Sequence, residues 1–211
     1  MEEECYFSYS EKETDYLKGR DGALGQVIDR IGHVKRAVIP DLFTALVHSI
    51  TGQQVSTKAH STLWARMQDL IGDITPESII GTPDEMIRGT GISSRKVAYI
   101  KNAAFKVRDG AIDLQSLHGL PEQEVADILC SLDGIGRWSA EMLMLFSMQR
   151  PDILSYGDLA IRRGLCIVHG LGSIDCNIFE KYRRLYSPCG SVASLYLWAV
   201  AGESTDRARH E

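Results

Sequence analysis

Two parts of the chain can do chemistry together. One is a glycine turn, Gly134-Ile135-Gly136; the other is a carboxylate, Asp158, about twenty residues further on. Residues 129–164 read LCSLDGIGRWSAEMLMLFSMQRPDILSYGDLAIRRG. Glycines tolerate positive φ and let backbone amides come close to a ligand. A helix that starts at Arg137 adds the partial positive charge of its N-terminus. A turn of this kind, set between two helices, can hold a phosphate without reading sequence. Its plainer role is an ordinary αα-hairpin turn, and the cation at Arg137 favours the phosphate. Asp158 follows Ser155-Tyr156-Gly157 and precedes Leu159-Ala160-Ile161-Arg162-Arg163, the setting of a helix N-cap. A cap stabilises a helix by about 1 kcal/mol. Capping and catalysis are compatible, because both require an ionised carboxylate at a helix start. Trp138 follows Arg137, with Met142 and Leu145 on the same helical face. Trp138 is either core or the wall of a pocket for a flat base.

A second set of residues lies upstream. Gly52-Gln53-Gln54-Val55-Ser56 breaks two helical patterns. It reads as a plain loop, or as a rigid loop whose amides and apolar residue enter a stacked duplex. Gly89-Thr90-Gly91-Ile92 before Ser94-Arg95-Lys96 is a weak echo of the later glycine turn, so Gly91 and Lys96 join the candidate DNA-contacting residues. Lys96, Lys101, Arg137, Arg162 and Arg163 could form a basic face, or simply solvated helix surfaces. The six histidines show no metal-ligand spacing.

The elements that must position these residues are helical. Leu42, Ala45, Leu46 and Ser49 share a face of a helix that stops before Gly52. Ser56 caps the next, with Ala59, Leu63, Met67 and Leu70 at helical spacing. Thr75-Pro76-Glu77 and Thr82-Pro83-Asp84-Glu85 each read as cap, N1 proline and acid. Ser94 is expected to cap a longer helix that ends at Gly110, and Pro121 to open one running to about Leu132. Residues 174–185 and 190–201 give two more. Alternating β patterns are absent, so the fold class is all-α, with two lobes, approximately 40–115 and 1–39 with 116–211.

Composition excludes several classes. The 211 residues are 44% hydrophobic and 24% charged, as in an ordinary globular protein. No apolar run approaches the roughly 20 residues of a membrane span, and the acidic N-terminal segment MEEECYFSYSEKE is unlike a secretory signal. The net charge of −5 argues against a generally adhesive nucleic-acid binder but not against a local basic face. Five widely spaced cysteines give no zinc or iron–sulfur pattern and fit reduced thiols in a cytoplasmic or nucleoid-associated protein.

LDGIGRWSAEM followed by the Gly/Pro loop and Asp158 resembles the helix–hairpin–helix-GPD superfamily of DNA glycosylases, and within it the 3-methyladenine DNA glycosylase II group. SITGQQVSTKAH at 49–60 resembles the same group, about 80 residues earlier and in the expected order. The resemblance implies a two-lobed helix–hairpin–helix glycosylase fold acting, as a monomer, on double-stranded DNA with alkylated bases and on no membrane. It implies Asp158 as the catalytic aspartate and Trp138 as a wall of the base pocket, with Met142 on the same helical face as a further pocket candidate. Gln54 and Val55 would fill and wedge the duplex, and Gly134, Gly136 and Arg137 would hold the phosphate. No cofactor is required. The carbonyls of Cys130, Leu132 and Ile135 are candidates for a structural monovalent cation, sodium or potassium.

Three departures from the family pattern sharpen this. Trp138 stands where bifunctional relatives carry a lysine nucleophile, which implies a monofunctional hydrolase. The C-terminal cysteines of iron–sulfur relatives are missing. Only about forty residues precede the first core helix. The extra β domain of larger relatives is therefore expected to be absent, with Phe7, Tyr9 or Tyr16 as substitutes in the base pocket. Two other readings stand beside the alkylpurine enzyme. One is a glycosylase for mismatched adenine or uracil; the other is a non-catalytic helix–hairpin–helix DNA-binding module. Adenine excision needs a general acid, and no carboxylate in the helix preceding Val55 supplies one.

Overall fold

The computed structural model describes residues 5–210, with side chains through 203. Its α-helices are α1 (Glu11–Arg20), α2 (Gly22–Ile31), α3 (Leu42–Gly52), α4 (Thr57–Ile71), α5 (Pro76–Gly81), α6 (Asp84–Gly89), α7 (Ser94–Arg108), α8 (Glu122–Cys130), α9 (Arg137–Phe146), α10 (Leu159–His169), α11 (Cys176–Tyr186) and α12 (Gly190–His210). The only β pairing among the described residues is an isolated bridge between Tyr6 and Ala37. The expected all-α class is what forms.

Side-chain caps start most helices. Asp41, Ser56, Thr75, Asp158 and Asp175 each accept a first-turn amide, which satisfies a donor the helix itself cannot. Two expected starts move. Ser93, not Ser94, caps α7. Pro83 is the residue before α6 and not its first helical residue, while the Thr82 hydroxyl donates back to the Ser78 carbonyl at the end of α5. Thr82 instead closes α5 as its C-cap, with its amide also on the Ser78 carbonyl. Two N-terminal helices were not foreseen. α1 has Leu17 as its one buried apolar side chain, so it shows no stripe, but Ser10 and Glu13 form a complete capping box at its start.

The chain divides into two compact units, Ile39–Met148 and the remainder on either side of it. This differs from the expected lobes, since 116–148 joins 39–115. The reason lies in α9. It packs on α3, and the segments that enter and leave the unit are stitched together: Ile39 N–H donates to the Phe146 carbonyl at 3.0 Å, and the Ser147 hydroxyl to the Pro40 carbonyl at 3.3 Å. Val47, Ile50, Val97, Ile100, Leu129, Leu143 and Leu145 are among its core residues.

The other unit centres on α10 against α12. Gly164 makes their close approach possible, because a Cβ there would strike the backbone of Leu197. A buried polar knot ties α2, α10 and α11 together. Tyr186 Oη donates to Asp21 Oδ2 at 2.8 Å, and His169 Nε2 lies 3.2 Å from the same oxygen. The other Asp21 oxygen caps α2 through the Ala23 and Leu24 amides.

Candidate active site and nucleic-acid interface

The Asp158 carboxylate is fixed from three directions. Its side chain is the cap of α10, accepting the amides of Ala160 at 2.9 Å and Ile161 at 3.0 Å on Oδ1. The indole N–H of Trp198, on α12, donates to the same oxygen at 3.1 Å. Asp158 is 8% exposed. Three donors converging on one carboxylate oxygen fix its position and orientation at the start of α10. The close packing at Gly164 brings α12 near enough for Trp198 to reach it. Sequence reasoning named Asp158 and missed Trp198. The partner lies forty residues away, and only a tertiary contact links them.

Asp152, in the loop before Asp158, serves a different contact. It accepts the Ser187 hydroxyl and the Gly190 amide and so staples its loop to the start of α12. Arg162 turns its guanidinium over the Tyr156 ring, 5.0 Å from the centroid, and Arg163 donates to the Ala201 carbonyl. The N-terminal aromatics offered for the base pocket are also spoken for. Phe7 is in the core. Tyr9 Oη bonds the backbone of Val34 and the hydroxyl of Tyr196, with its ring stacked on His33. Tyr16 donates to the Ser187 carbonyl. Each is held by its own unit's packing.

The remaining candidates share the Ile39–Met148 unit. Between α8 and α9, Gly134 has φ +82, and the ring of Tyr99 fills the space where its Cβ would stand, so both conformation and space require glycine. Gly136 differs. Its backbone is extended, and a Cβ there would meet nothing. The protein itself does not demand glycine at 136; a closely approaching ligand would. Gly136 offers α9 no side-chain cap, unlike Asp158 at the start of α10. This is a suitable anion site.

Arg137, at the start of α9, donates to Glu141 at 3.0 Å and lies 4.0 Å from Asp127, which lessens its free charge. Trp138 is 47% exposed, with Met142 one turn on and half-buried, while Leu143, Met144 and Leu145 make the core face. The indole of Trp138 is therefore not the core residue that its type suggests. The Leu132 carbonyl accepts the Ile135 amide at 3.1 Å, and Lys106 donates to the Ser131 carbonyl at 3.0 Å, so the end of α8 already attracts a cation.

The loop after α3 is strained at Gln54. Gln54 has φ +56, a left-handed conformation that costs roughly 1–2 kcal/mol in a non-glycine residue. Val55 is 38% exposed. Gly91, in the earlier glycine turn, has φ +105, with Leu63 2.9 Å from its Cβ position. Lys96 does not project to solvent as expected. Its ammonium donates to the carbonyls of Thr51 at 2.9 Å and Gln53 at 2.6 Å. Lys101 likewise donates to the Ile80 and Thr82 carbonyls beside Asp84, so two members of the expected basic face serve loop carbonyls. Beneath the loop, His60 bonds the His48 carbonyl at 3.0 Å, and burial beside His60 pushes His48 down to about 4. Among the described residues no cluster of His, Cys, Asp and Glu is placed to hold a metal, and no helix is long and apolar enough to cross a membrane.

Comparison with known proteins agrees with this geometry. Residues 47–188 match the HhH-GPD superfamily of base excision DNA repair proteins. DNA-3-methyladenine glycosylase 1 of Schizosaccharomyces pombe is 30% identical over 75% of this chain and 72% of its own. The crystal structure of DNA-3-methyladenine glycosidase from Bacillus halodurans superposes with a TM-score of 0.84 at 36% identity, over 96% of this chain and 94% of that one. The 3-methyladenine DNA glycosylase of S. pombe in complex with abasic DNA superposes with a TM-score of 0.77 at 28% identity, covering 89% and 95%.

Proposed function

The chain belongs to the HhH-GPD superfamily of base excision DNA repair proteins, and on that premise we propose that it is a monofunctional DNA glycosylase that hydrolyses the N-glycosidic bond of alkylated purines. The observation that carries the reading is the Asp158 carboxylate, nearly buried and held by two helix amides and the Trp198 indole. Alkylation at N3 or N7 makes the purine cationic and a good leaving group. The sugar then takes on oxocarbenium character, and one fixed carboxylate beside C1′ stabilises it and orients water. The relatives whose names specify 3-methyladenine support this substrate class.

The other residues have matching roles. The hairpin at Gly134 and Gly136 takes a backbone phosphate on the first amides of α9. Gln54 and Val55 enter the duplex as the damaged nucleotide leaves it, and weak pairing of such a base lowers the cost of flipping. Trp138 and Met142 face the flat, cationic base. The protein acts as a monomer on double-stranded DNA, in the cytoplasm or at the nucleoid. The end of α8 suits a monovalent cation: with Lys106 already drawn to Ser131, the carbonyls of Cys130, Leu132 and Ile135 would hold sodium or potassium and add positive charge for the phosphate.

Excision of adenine is the weaker reading. It needs a proton donor for a neutral leaving group, and α3, which precedes the insertion loop, carries no carboxylate from Leu42 to Gly52. Leaving-group dependence tests the choice. Single-turnover rates should be high for N3- and N7-methylpurines and lower by orders of magnitude for mismatched adenine and for uracil in the same duplex. Comparable rates on the neutral bases would overturn the proposal.

A further inference from the structure

We propose that Lys96 and Gln53 are positioning residues that brace the Gln54–Val55 loop for insertion, and that Lys96 is not a phosphate contact. The proposal rests on the reading of that loop as a duplex wedge.

Lys96 occupies an electrostatically awkward place. It lies in the first turn of α7, after the Ser93 cap, where the helix end is partially positive. It is half-buried, and burial followed by the nearby Arg95 lowers its pKa. The compensation is visible across the gap. α3 ends at Gly52, and the ammonium takes the carbonyls of Thr51 and Gln53 at that partially negative end. Lysine at this position joins the start of one helix to the end of another.

The loop is tied at a second point. Gln53 Nε2 donates to the Gly134 carbonyl at 2.8 Å. Gln53 thus links the Lys96 ammonium, through its own carbonyl, to the hairpin that is to hold the phosphate. The next residue is Gln54, with its left-handed backbone. A strained conformation persists when the surroundings over-determine it. Here Lys96 and the hairpin fix Gln53, and the His60 ring fills the space where a Gly52 Cβ would lie, 2.5 Å away. The wedge is therefore carried in its inserting geometry before DNA arrives, and its position is set by the same hairpin that grips the strand.

The test compares Lys96→Met, Lys96→Arg and Gln53→Leu with the loop variant Gln54→Ala/Val55→Ala. Single-turnover excision of one methylpurine is measured in a paired and in an unpaired context, and affinity for abasic DNA is followed against salt. Loss of the two carbonyl bonds should slow paired excision by about tenfold and unpaired excision by less than about threefold. Lys96→Arg should recover part of the loss. The slope of log affinity against log salt should stay that of the wild type, because no phosphate contact is removed. Gln53→Leu leaves the ammonium in place and should show the same paired-selective loss, which keeps the test open if Lys96→Met does not fold. Equal slowing in both contexts with a salt slope shallower by about one would make Lys96 a phosphate contact and overturn the brace. A paired-selective loss in Gln54→Ala/Val55→Ala without one in Lys96→Met and Gln53→Leu would also overturn it and leave the wedge standing. Equal slowing in both contexts by the loop variant would remove the wedge and the brace with it.

Discussion

Replacing Asp158 by asparagine separates its capping role from the proposed catalytic one. The amide is nearly isosteric, and its oxygen can still accept from Ala160, Ile161 and Trp198, the three donors that converge on Oδ1. Asparagine is as good an N-cap as aspartate. Stability should fall only by the lost charge–helix attraction, about 0.3–1 kcal/mol. Catalysis should suffer far more. Two unit charges about 4 Å apart at an effective dielectric of about 20 attract by roughly 4 kcal/mol, which corresponds to on the order of a thousandfold in rate. The assay is single-turnover excision of an N7-methylpurine from a duplex, with affinity for abasic DNA and the melting temperature measured on the same preparations. Affinity and melting should be close to wild type, and the rate should fall by about that factor. A variant within tenfold of wild type would show that the charge at 158 does not stabilise the transition state. Asp158→Ala adds a control, since it should lose the rate and also about 1 kcal/mol of stability with the cap.

Three further outcomes are expected. Gly136→Asp puts a negative side chain into the open space over the α9 amides; binding to abasic DNA should weaken at least tenfold by loss of a phosphate contact while helical content by circular dichroism holds, and unchanged affinity would reduce the hairpin to a turn. Borohydride in the reaction should trap no covalent enzyme–DNA adduct, because Trp138 occupies the lysine position; a lysine-linked adduct found by mass spectrometry would show a lyase. Stability should also depend on pH through His48, whose pKa falls from 6.5 to about 4 on burial, with His60 and His169 shifted in the same direction. The unfolded chain then binds more protons, so stability is full above pH about 6.5 and falls as pH drops toward about 4, by on the order of 3 kcal/mol for His48. Urea unfolding at pH 7.5 and 5 should show the loss, and His48→Asn should flatten it; a pH-independent wild type would contradict the burial.

Asp158 as a helix cap, both glycine turns and the break between α3 and α4 were legible because each is local. A cap, a positive φ or a break between two helical patterns leaves its mark within a few residues. What escaped notice was tertiary. Trp198 meets Asp158 only because Gly164 lets α10 and α12 approach, and nothing in the spacing of those three residues announces it. The bonds from Lys96 to the Thr51 and Gln53 carbonyls were also hidden, because sequence shows its charge and not the carbonyls opposite. Residues 116–148 were assigned to the wrong lobe for a similar reason. The packing of α9 on α3 is a contact between segments about ninety residues apart. α1 was missed because its stability comes from its capping box and not from an apolar stripe.

The most direct measurement is of product. Duplex DNA carrying radiolabelled N3-methyladenine and N7-methylguanine is incubated with the wild-type protein, and the released material is separated by chromatography, with the strand analysed on a denaturing gel before and after alkali. A monofunctional alkylpurine glycosylase yields free methylated bases and a strand that stays intact until alkali cleaves it at the abasic site. Release of no free base, or a strand cut before alkali, would contradict the proposed function.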